Sequence, residues 1–397
     1  MASLVVVLVL AALSIKKGRA SQTPNNPACV ELDIPIHVDT TVTKWLQPQV
    51  DSTYDAVDWI RYQTTRTKPN VTESNLGLIH INETFTINAQ LCIPPHGPKS
   101  HILQIATHGA GFDRRYWDNP INPPSYSYLH AALSQGYSLL TYSRLGTGLS
   151  SKPSAYTTTQ LPIHIAILHH LTLLSTSGSL LQYSKPLSTL PPNTLPATYT
   201  PTKIIHLGHS LGSIISLGFV SAYPHLSSGL IATGFLPTAT SPELPHTLNV
   251  ATWGFEYARE NDPAKFAEHG AGYLVQGTPS NVELSFMGRK ESFEPEMLQY
   301  AYDIRQPVGV SEFTSLLGGI GAMGMGVVQF VVGEEDYGGC GGDCKGVYDL
   351  EEIRGVWKGA RAVGVNVQPG TGHGLTLARN ATGGYAVTFG FLEEGGL

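Results

Sequence analysis

The 397-residue sequence has little charge, few cysteines and no apolar run long enough to cross a membrane. Charged residues make up 14% of the chain, the formal net charge is -6, and no cluster of lysine and arginine stands out. We therefore expect no nucleic-acid partner, because such proteins present a concentrated basic surface. A dinucleotide fingerprint is also missing, since "GIGAMGMG" lacks its residue order, and we expect no cofactor.

The four cysteines do not have the spacing of a zinc site, because no second close cysteine or histidine pair has the form of a metal site beside Cys340 and Cys344. An even number of cysteines permits two disulfides in an oxidising compartment. Cys340 and Cys344, in "CGGDC", form one expected pair. Cys29 and Cys92 form the other expected pair.

The N-terminal segment indicates secretion. The apolar run from Leu4 to Leu13 is too short to span a bilayer but is typical of a secretory signal, and "GRA" before Ser21 offers the small residues at which such signals are cleaved. We expect residues 1–20 to be a signal peptide; a retained membrane-associated anchor is the alternative, because the basic residues follow the run. Three glycosylation sequons agree with this route, at Asn70, Asn82 and Asn380.

Apolar, β-branched stretches alternate with helical patterns along the chain, which predicts a mostly parallel sheet with crossover helices. The predicted strands are "CVELDIPIHV", "TFTINAQLCI", "HILQIAT", "YSLLTYS", "KIIHLG", "GLIATGFL", "VVQFVVG" and "VNVQPG". The aromatic-rich residues 238–325 break this alternation. We interpret them as a helical lid inserted into one α/β core, which comprises residues 21–237 and 326–397.

The stretch "HLGHSLGSII" places Ser210 between Gly208 and Gly212, at the junction of a predicted strand and a predicted helix. A serine hydroxyl needs an exposed position beside a base in order to act as a nucleophile. A sharp strand-to-helix turn provides this exposure, and only small residues fit two positions to either side of its apex. The pattern therefore predicts Ser210 as a nucleophile rather than as an incidental serine in a turn.

Two backbone amides are needed to stabilise an oxyanion. Leu211 directly follows the serine, and "THGAGFD" follows an earlier strand, so we predict the Leu211 and Ala110 amides, with Gly109 as the alternative to Ala110. His108, in the same loop, is expected to be a structural hydrogen-bonding residue rather than a base.

The acid and the base are expected on loops after the last two strands. "VVGEEDYGG" offers Asp336, our choice, with Glu334, Glu335 and Asp343 as alternatives. "GTGHGL" sets His373 between two glycines, and the chain order Ser210, Asp336, His373 is the order of a serine-nucleophile triad on an α/β sheet. Four further histidines are expected to be structural, namely His164, His169, His170 and His209, the last with its ring turned away from the site.

These motifs resemble the α/β-hydrolase superfamily, from about Cys29 to the C-terminus. "HGAGFDRRYWD", "YSRLGTGLSSKP", "GHSLGS" and "GEEDY…GTGHG" carry the resemblance, which implies an eight-stranded sheet and a serine nucleophile. The first two blocks and the secretory start more narrowly resemble fungal secretory-pathway hydrolases, some of which accompany polyketide or polyketide–peptide biosynthesis. Ser143 stands where relatives usually carry aspartate, and this raises a question about loop packing beside Arg144.

The motifs are compatible with three functions. The first is hydrolysis of an ester or related acyl bond through a Ser210–Asp336–His373 triad and an acyl-enzyme. The second uses the same site as a general base for an intramolecular, Knoevenagel-type condensation of a polyketide–amino acid intermediate. The third is a non-catalytic binding protein. The aromatic insertion favours a small apolar molecule as substrate, without a metal; the oligomeric state is not predicted.

Overall fold

The computed structural model describes residues 28–65, 70–94, 97–183, 198–235, 253–315 and 326–397. The expected signal peptide and both ends of the expected insertion therefore lie outside the described residues. The strands are β1 (Ala28–Trp45), β2 (Asn75–Ile93), β3 (Ile102–Thr107), β4 (Ser138–Tyr142), β5 (Lys203–His209), β6 (Gly229–Thr233), β7 (Phe255–Tyr257), β8 (Tyr273–Gln276), β9 (Val308–Gly309), β10 (Val327–Gly333) and β11 (Ala362–Gln368).

Eight of these strands form the central sheet, in the order β1-β2-β4-β3-β5-β6-β10-β11. Neighbours from β4 to β11 pair in parallel, and β2 runs antiparallel to both β1 and β4. The predicted α/β-hydrolase sheet is thus confirmed. The central strands are buried along their whole length, because helices cover both faces of a parallel sheet.

The helices are α1 (Thr53–Thr64), α2 (Val71–Ser74), α3 (Pro123–Tyr126), α4 (Tyr128–Ser134), α5 (Leu161–Thr176), α6 (Leu211–Ala222), α7 (Ala258–Asn261), α8 (Pro279–Val282), α9 (Pro295–Asp303), α10 (Val310–Thr314), α11 (Tyr337–Cys340), α12 (Leu350–Val356) and α13 (Ala381–Glu394). The sequence patterns predicted α4, α5, α6 and α12 but not α1 or α13. No helix in the described ranges is long and apolar enough to cross a bilayer.

The N-terminal strands β1 and β2 form a long antiparallel hairpin that joins the sheet through β4. Cys29 lies opposite Cys92 in this pairing, and a disulfide connects them. The second disulfide joins Cys340 to Cys344. Both expected pairs are therefore present, and no free cysteine occurs in the part of the chain that the structure describes.

The insertion differs from the purely helical lid that the sequence predicts. Its described part, residues 253–315, contains short helices, a π-helical turn at Glu283–Met287 and a three-stranded antiparallel sheet, β7-β8-β9. These strands are two to four residues long, too short to show a period of two in the sequence. An aromatic cluster packs the insertion against α1, since Phe313 and Phe255 lie 6.0 and 6.5 Å from Trp59 between ring centroids.

The folded core buries several histidines in their neutral form, and His206 on β5 illustrates the effect. Its ring is fully buried 4.3 Å from Phe219, and burial lowers its pKa from 6.5 to about 3. Between pH 6.5 and pH 3 the unfolded chain therefore binds a proton at this residue that the folded protein does not bind. The free energy of unfolding must fall as the pH falls through this window.

We predict that His206→Leu flattens this pH dependence. Between pH 7 and pH 5, His206 should account for about 2 kcal/mol of the loss in the free energy of unfolding. Urea unfolding at both pH values, for wild type and variant, measures the difference. Identical pH dependence of the two proteins would contradict a neutral, desolvated His206.

Candidate active site

Ser210 lies at a sharp turn between β5 and α6, as the sequence predicts. Its φ of 52° and ψ of -118° are in a region that non-glycine residues rarely adopt. Such a conformation costs about 1–3 kcal/mol and persists only where the surrounding packing enforces it. The side chain is half-buried, and the Ser210 amide donates to the Thr233 carbonyl at the end of β6, 2.8 Å away.

The flanking glycines are required by contact with neighbouring backbone. A Cβ atom on Gly212 would lie 2.1 Å from the Thr107 carbonyl oxygen, and one on Gly208 would lie 2.4 Å from the Ser213 Cα atom. Real Cβ atoms do not approach backbone this closely, so helix α6 can pack against β3 and β5 only with glycine at both positions. The sequence-based reason for the G-x-S-x-G spacing is confirmed.

The two predicted oxyanion amides lie on either side of the serine. Leu211 is the first residue of α6, where helix amides have no intrahelical acceptor, and Ala110 lies in the loop after β3. That loop touches the serine, because a Cβ on Gly109 would lie 3.0 Å from the Ser210 Cβ. Among the described residues, neither the Ala110 nor the Leu211 amide has a hydrogen-bond acceptor. Both amides are thus available to a ligand.

Asp336 follows β10 and forms a hydrogen bond with His373. Its side chain is fully buried, and Oδ2 lies 2.7 Å from the Nδ1 atom of His373. The other oxygen, Oδ1, accepts a hydrogen bond from the Gly339 amide. Because a carboxylate can only accept, the bond to Asp336 requires the proton of His373 on Nδ1 and leaves Nε2 as an acceptor in the neutral ring.

The alternative acids are engaged elsewhere. Glu334 pairs with Lys345 and accepts from the Gly370 amide. Glu335 accepts from the Arg289 amide and the Ser292 hydroxyl of the insertion. Asp343 accepts from the Lys345 amide. Of the four carboxylates considered, Asp336 is the one placed on His373.

His373 follows β11 and lies next to the end of β6. A Cβ on Gly234, the residue after the Thr233 carbonyl that binds Ser210, would lie 3.1 Å from the His373 Cε1 atom. Its Nε2 atom is buried and has no hydrogen-bond partner among the described residues. The strand order β3-β5-β6-β10-β11 therefore places the Ala110 loop, Ser210, Asp336 and His373 along one edge of the sheet.

An apolar wall from the insertion borders His373. Phe286, in the π-helical turn, stacks on the imidazole with 6.0 Å between ring centroids and lies 4.6 Å from Phe112. The Phe286 carbonyl accepts from the Gly374 amide, 2.7 Å away. The insertion thus packs against the predicted base, as a lid over the site requires.

The ring of His209 points toward the site, whereas the sequence predicted that it turns away. Its ring lies 5.0 Å from that of His373 and stacks on Tyr116 at 4.4 Å between centroids. Complete burial and the neighbouring histidines hold the pKa of His209 well below its ordinary value. It is therefore a neutral packing residue beside the predicted base. His209 is the last residue of β5 and pairs with Thr233, so the strand itself directs this ring toward the site.

The other histidines that were expected to be structural are held by burial, ring stacking or hydrogen bonds. His164 is buried and its pKa is held well below normal by burial and by Arg144. His169 stacks on Tyr223 at 3.9 Å between ring centroids, and His170 is half-buried beside it. His108 accepts from the Arg144 amide through Nε2, 2.9 Å away. None of these rings replaces His373 in the contact with Asp336.

Sequence reasoning missed a buried ion pair behind the site. Arg144 and Glu312 are 0% and 1% exposed, and the Nη1 and Oε2 atoms lie 2.6 Å apart. Ser143, where relatives usually carry aspartate, is buried beside Arg144; its amide donates to the Asn88 carbonyl and its carbonyl accepts from the Ser150 hydroxyl. The loop at Ser143 is therefore closely packed without a carboxylate.

The sequons differ in their surroundings. Asn82 is exposed on β2, where its amide donates to Asp39. Asn70 is exposed and caps α2. Asn380 is half-buried and donates to the Pro369 carbonyl. Asn82 and Asn70 are thus more accessible to a glycan than Asn380.

Comparison with known proteins agrees with this architecture. An esterase from Exiguobacterium antarcticum is similar in structure with a TM-score of 0.50 and 15% identity, over 78% of this chain and 96% of that one. An epoxide hydrolase from Vigna radiata has a TM-score of 0.50 and 12% identity, over 78% and 95% of the two chains. At these identities the likeness concerns the fold alone.

No curated protein matches the chain significantly in sequence. The model of the alpha/beta hydrolase family, however, matches residues 105–382, a stretch that includes the turn at Ser210 and the loops of Ala110, Asp336 and His373. The chain belongs to the alpha/beta hydrolase family.

Proposed function

We propose that the protein is a serine hydrolase that cleaves a carboxylic ester or a related acyl bond of an apolar substrate. His373 takes the Ser210 proton through Nε2, and the serine oxygen attacks the carbonyl carbon. The Ala110 and Leu211 amides stabilise the oxyanion. Asp336 holds the His373 ring and stabilises its charged form. The bond to the alcohol then breaks as His373 gives its proton to the leaving oxygen, which leaves the acyl-enzyme. His373 next takes a proton from water, which attacks the acyl carbon, and the acid is released as the proton returns to Ser210. The hydrogen bond between Asp336 and His373 is the observation that carries this proposal.

The conformation of Ser210 favours acyl transfer over the condensation alternative. A reaction that used His373 only as a general base would need no serine and no strained backbone at position 210. The φ of 52° instead exposes a hydroxyl at the start of a helix, where amides can stabilise charge on the attacked carbonyl. Hydrolysis is the chemistry that uses all of these features together.

The side chains around the site support an apolar substrate. Phe286 and Phe112 pack together beside His373, and Trp253 lies 5.9 Å from Phe286 between ring centroids. These three side chains are buried and give the site an apolar surrounding, in which an acyl chain or a ring system would be desolvated. We propose a small, largely apolar ester as substrate.

The cellular context is part of the proposal. Two disulfides and the N-terminal apolar run support a secreted or secretory-pathway enzyme, glycosylated at Asn82 and Asn70. The resemblance to fungal secretory-pathway hydrolases leads us to propose a role in polyketide or polyketide–peptide metabolite biosynthesis.

The first prediction from the proposed function concerns the nucleophile. Ser210→Ala should lower kcat for p-nitrophenyl esters by about a million-fold, since removal of the nucleophile from a triad has this effect, and should abolish labelling by a fluorophosphonate probe. Ser216→Ala is the matched control: the same change in helix α6, which follows Ser210, at a buried hydroxyl without a hydrogen-bond partner among the described residues. The control should label and turn over like wild type.

Full activity of Ser210→Ala would overturn the hydrolase mechanism. If the variant lost ester hydrolysis but still cyclised a polyketide–amino acid aldehyde, the condensation alternative would replace it. A wild-type protein that neither labels nor turns over any ester of a chain-length series would instead favour a binding protein.

The second prediction tests the acid. Asp336→Asn should lower kcat by roughly 10³- to 10⁴-fold, because the amide can donate to Nδ1 and thereby favours the wrong tautomer of His373. Glu334→Gln, a control two residues away that retains an acceptor for the Gly370 amide, should keep most of the activity. Steady-state kinetics on the same ester series decide between them; equal losses in both variants would exclude Asp336 as the acid.

The Cys340–Cys344 disulfide closes the loop that carries Asp336. The Asp336 carbonyl accepts from the Cys340 amide at 3.0 Å and from the Gly342 amide at 3.1 Å. The Cys344 amide returns to the Glu334 carbonyl, and the Cys344 side chain is buried. The disulfide thus restricts both ends of the turn that presents the carboxylate to His373.

The third prediction separates this role from general stabilisation. Cys340→Ser/Cys344→Ser should lower kcat by about 10-fold with little effect on KM, because a displaced catalytic group can cost up to two orders of magnitude in rate. Cys29→Ser/Cys92→Ser is the control: it opens a larger loop and should lower Tm more, but leave kcat of the folded enzyme unchanged. A reversed outcome would show that the small disulfide does not support Asp336.

A further inference from the structure

Arg144 connects the inserted segment to the loop that carries the Ala110 amide. Its guanidinium is completely buried, where an unpaired charge would be very unfavourable, and Glu312 on α10 of the insertion neutralises it at 2.6 Å. Glu312 is itself fixed, because its other oxygen accepts from the Gly309 amide, 3.0 Å away. The backbone of the insertion therefore fixes the Glu312 carboxylate, and the carboxylate in turn fixes the Arg144 guanidinium.

The guanidinium contacts the backbone of the oxyanion loop. Its Nη2 atom donates to the Gly109 carbonyl oxygen at 3.3 Å. The Arg144 amide donates to His108 Nε2 at 2.9 Å, which requires the proton of this imidazole to be on Nδ1. That Nδ1 atom in turn donates to the same Gly109 carbonyl, 2.9 Å away. Two donors from residue 144 and residue 108 thus hold one carbonyl group.

The Gly109 carbonyl and the Ala110 amide belong to one peptide unit. The unit is trans, so its C=O and N–H bonds point in opposite directions. Fixing the carbonyl toward Arg144 therefore fixes the Ala110 N–H away from it. A charge-assisted bond to the carbonyl also polarises the peptide unit and makes its N–H a stronger donor.

We propose that Arg144, held by Glu312, is a positioning residue that orients and polarises the Ala110 amide for the oxyanion. The inference rests on the proposed serine-hydrolase function. It assigns to the insertion a second role besides covering the site, because Glu312 supplies the charge that keeps Arg144 in place. The oxyanion hole is complete only with α10 packed against the core.

The test compares ground-state and transition-state binding. Arg144→Met/Glu312→Leu removes both charges together, which avoids leaving one of them buried alone. We expect kcat for a p-nitrophenyl ester and affinity for a trifluoromethyl ketone, which forms a tetrahedral adduct with an active-site serine, to fall together by about 10- to 100-fold. KM should stay within about threefold, because the amide stabilises charge that develops only after attack.

Two further variants make the result specific. Arg144→Lys retains the charge beside Glu312 but has a single terminal nitrogen in place of the two that reach Glu312 and the Gly109 carbonyl, so it should lose less than the double variant. It also carries the test if the double variant does not fold. Thr172→Val removes a buried hydroxyl that donates to the Leu168 carbonyl, away from the site, and should lower Tm without changing kcat or ketone affinity.

A folded double variant with wild-type kcat and ketone affinity would overturn the inference, as would losses that merely follow Tm in all three variants. Ser210→Ala is assayed alongside. If it retained activity, or if wild-type enzyme hydrolysed no ester, the proposed function itself would fail and the inference with it. Loss in Ser210→Ala together with an unaffected double variant would reject the role of Arg144 alone.

Discussion

The site depends on the close approach of helix α6 to strand β3. Gly212 lies so close to the Thr107 carbonyl that any side chain at this position would clash with it. This contact fixes where the first turn of the helix begins. Ser210, one step before that turn, is held at a φ of 52° as a consequence. The position of the Ser210 hydroxyl, the Leu211 amide without an acceptor among the described residues, and the neighbouring Ala110 loop are all placed relative to the start of α6.

Features that depend on residues close together in the sequence were easier to predict than features that depend on contacts between distant residues. The turn at Ser210 follows from local spacing, and the strands of the sheet follow from apolar runs, so both were predictable. Asp336 was selected among neighbouring carboxylates by loop length, and its contact with His373 agrees with that choice. The three-stranded sheet of the insertion was not predictable, because its strands are shorter than any detectable period.

Long-range polar contacts were beyond sequence reasoning altogether. Arg144 and Glu312 are separated by 168 positions in the sequence. Neither residue lies in a stretch whose pattern indicates a buried charge. His209 was misplaced for a related reason: its position beside Ser210 in the sequence does not show which rings from other elements its side chain meets. His209 is the last residue of β5, and its ring lies next to that of His373, which comes from the loop after β11.

The insertion contributes to the site as a fixed wall rather than as a simple cover. Three separate contacts tie it to three separate parts of the predicted machinery. Phe286 accepts from the Gly374 amide beside the base, Glu335 beside the acid accepts from the Arg289 amide, and Glu312 pairs with Arg144 behind the oxyanion loop.

These contacts restrict how the site can open. A rigid displacement of residues 286–312 would break all three contacts at once, and it would leave the Arg144 charge buried without a partner. Such a movement costs much more free energy than a local rearrangement that keeps these contacts. Substrate access that preserves the predicted catalytic geometry therefore requires a movement that leaves Phe286, Arg289 and Glu312 in place.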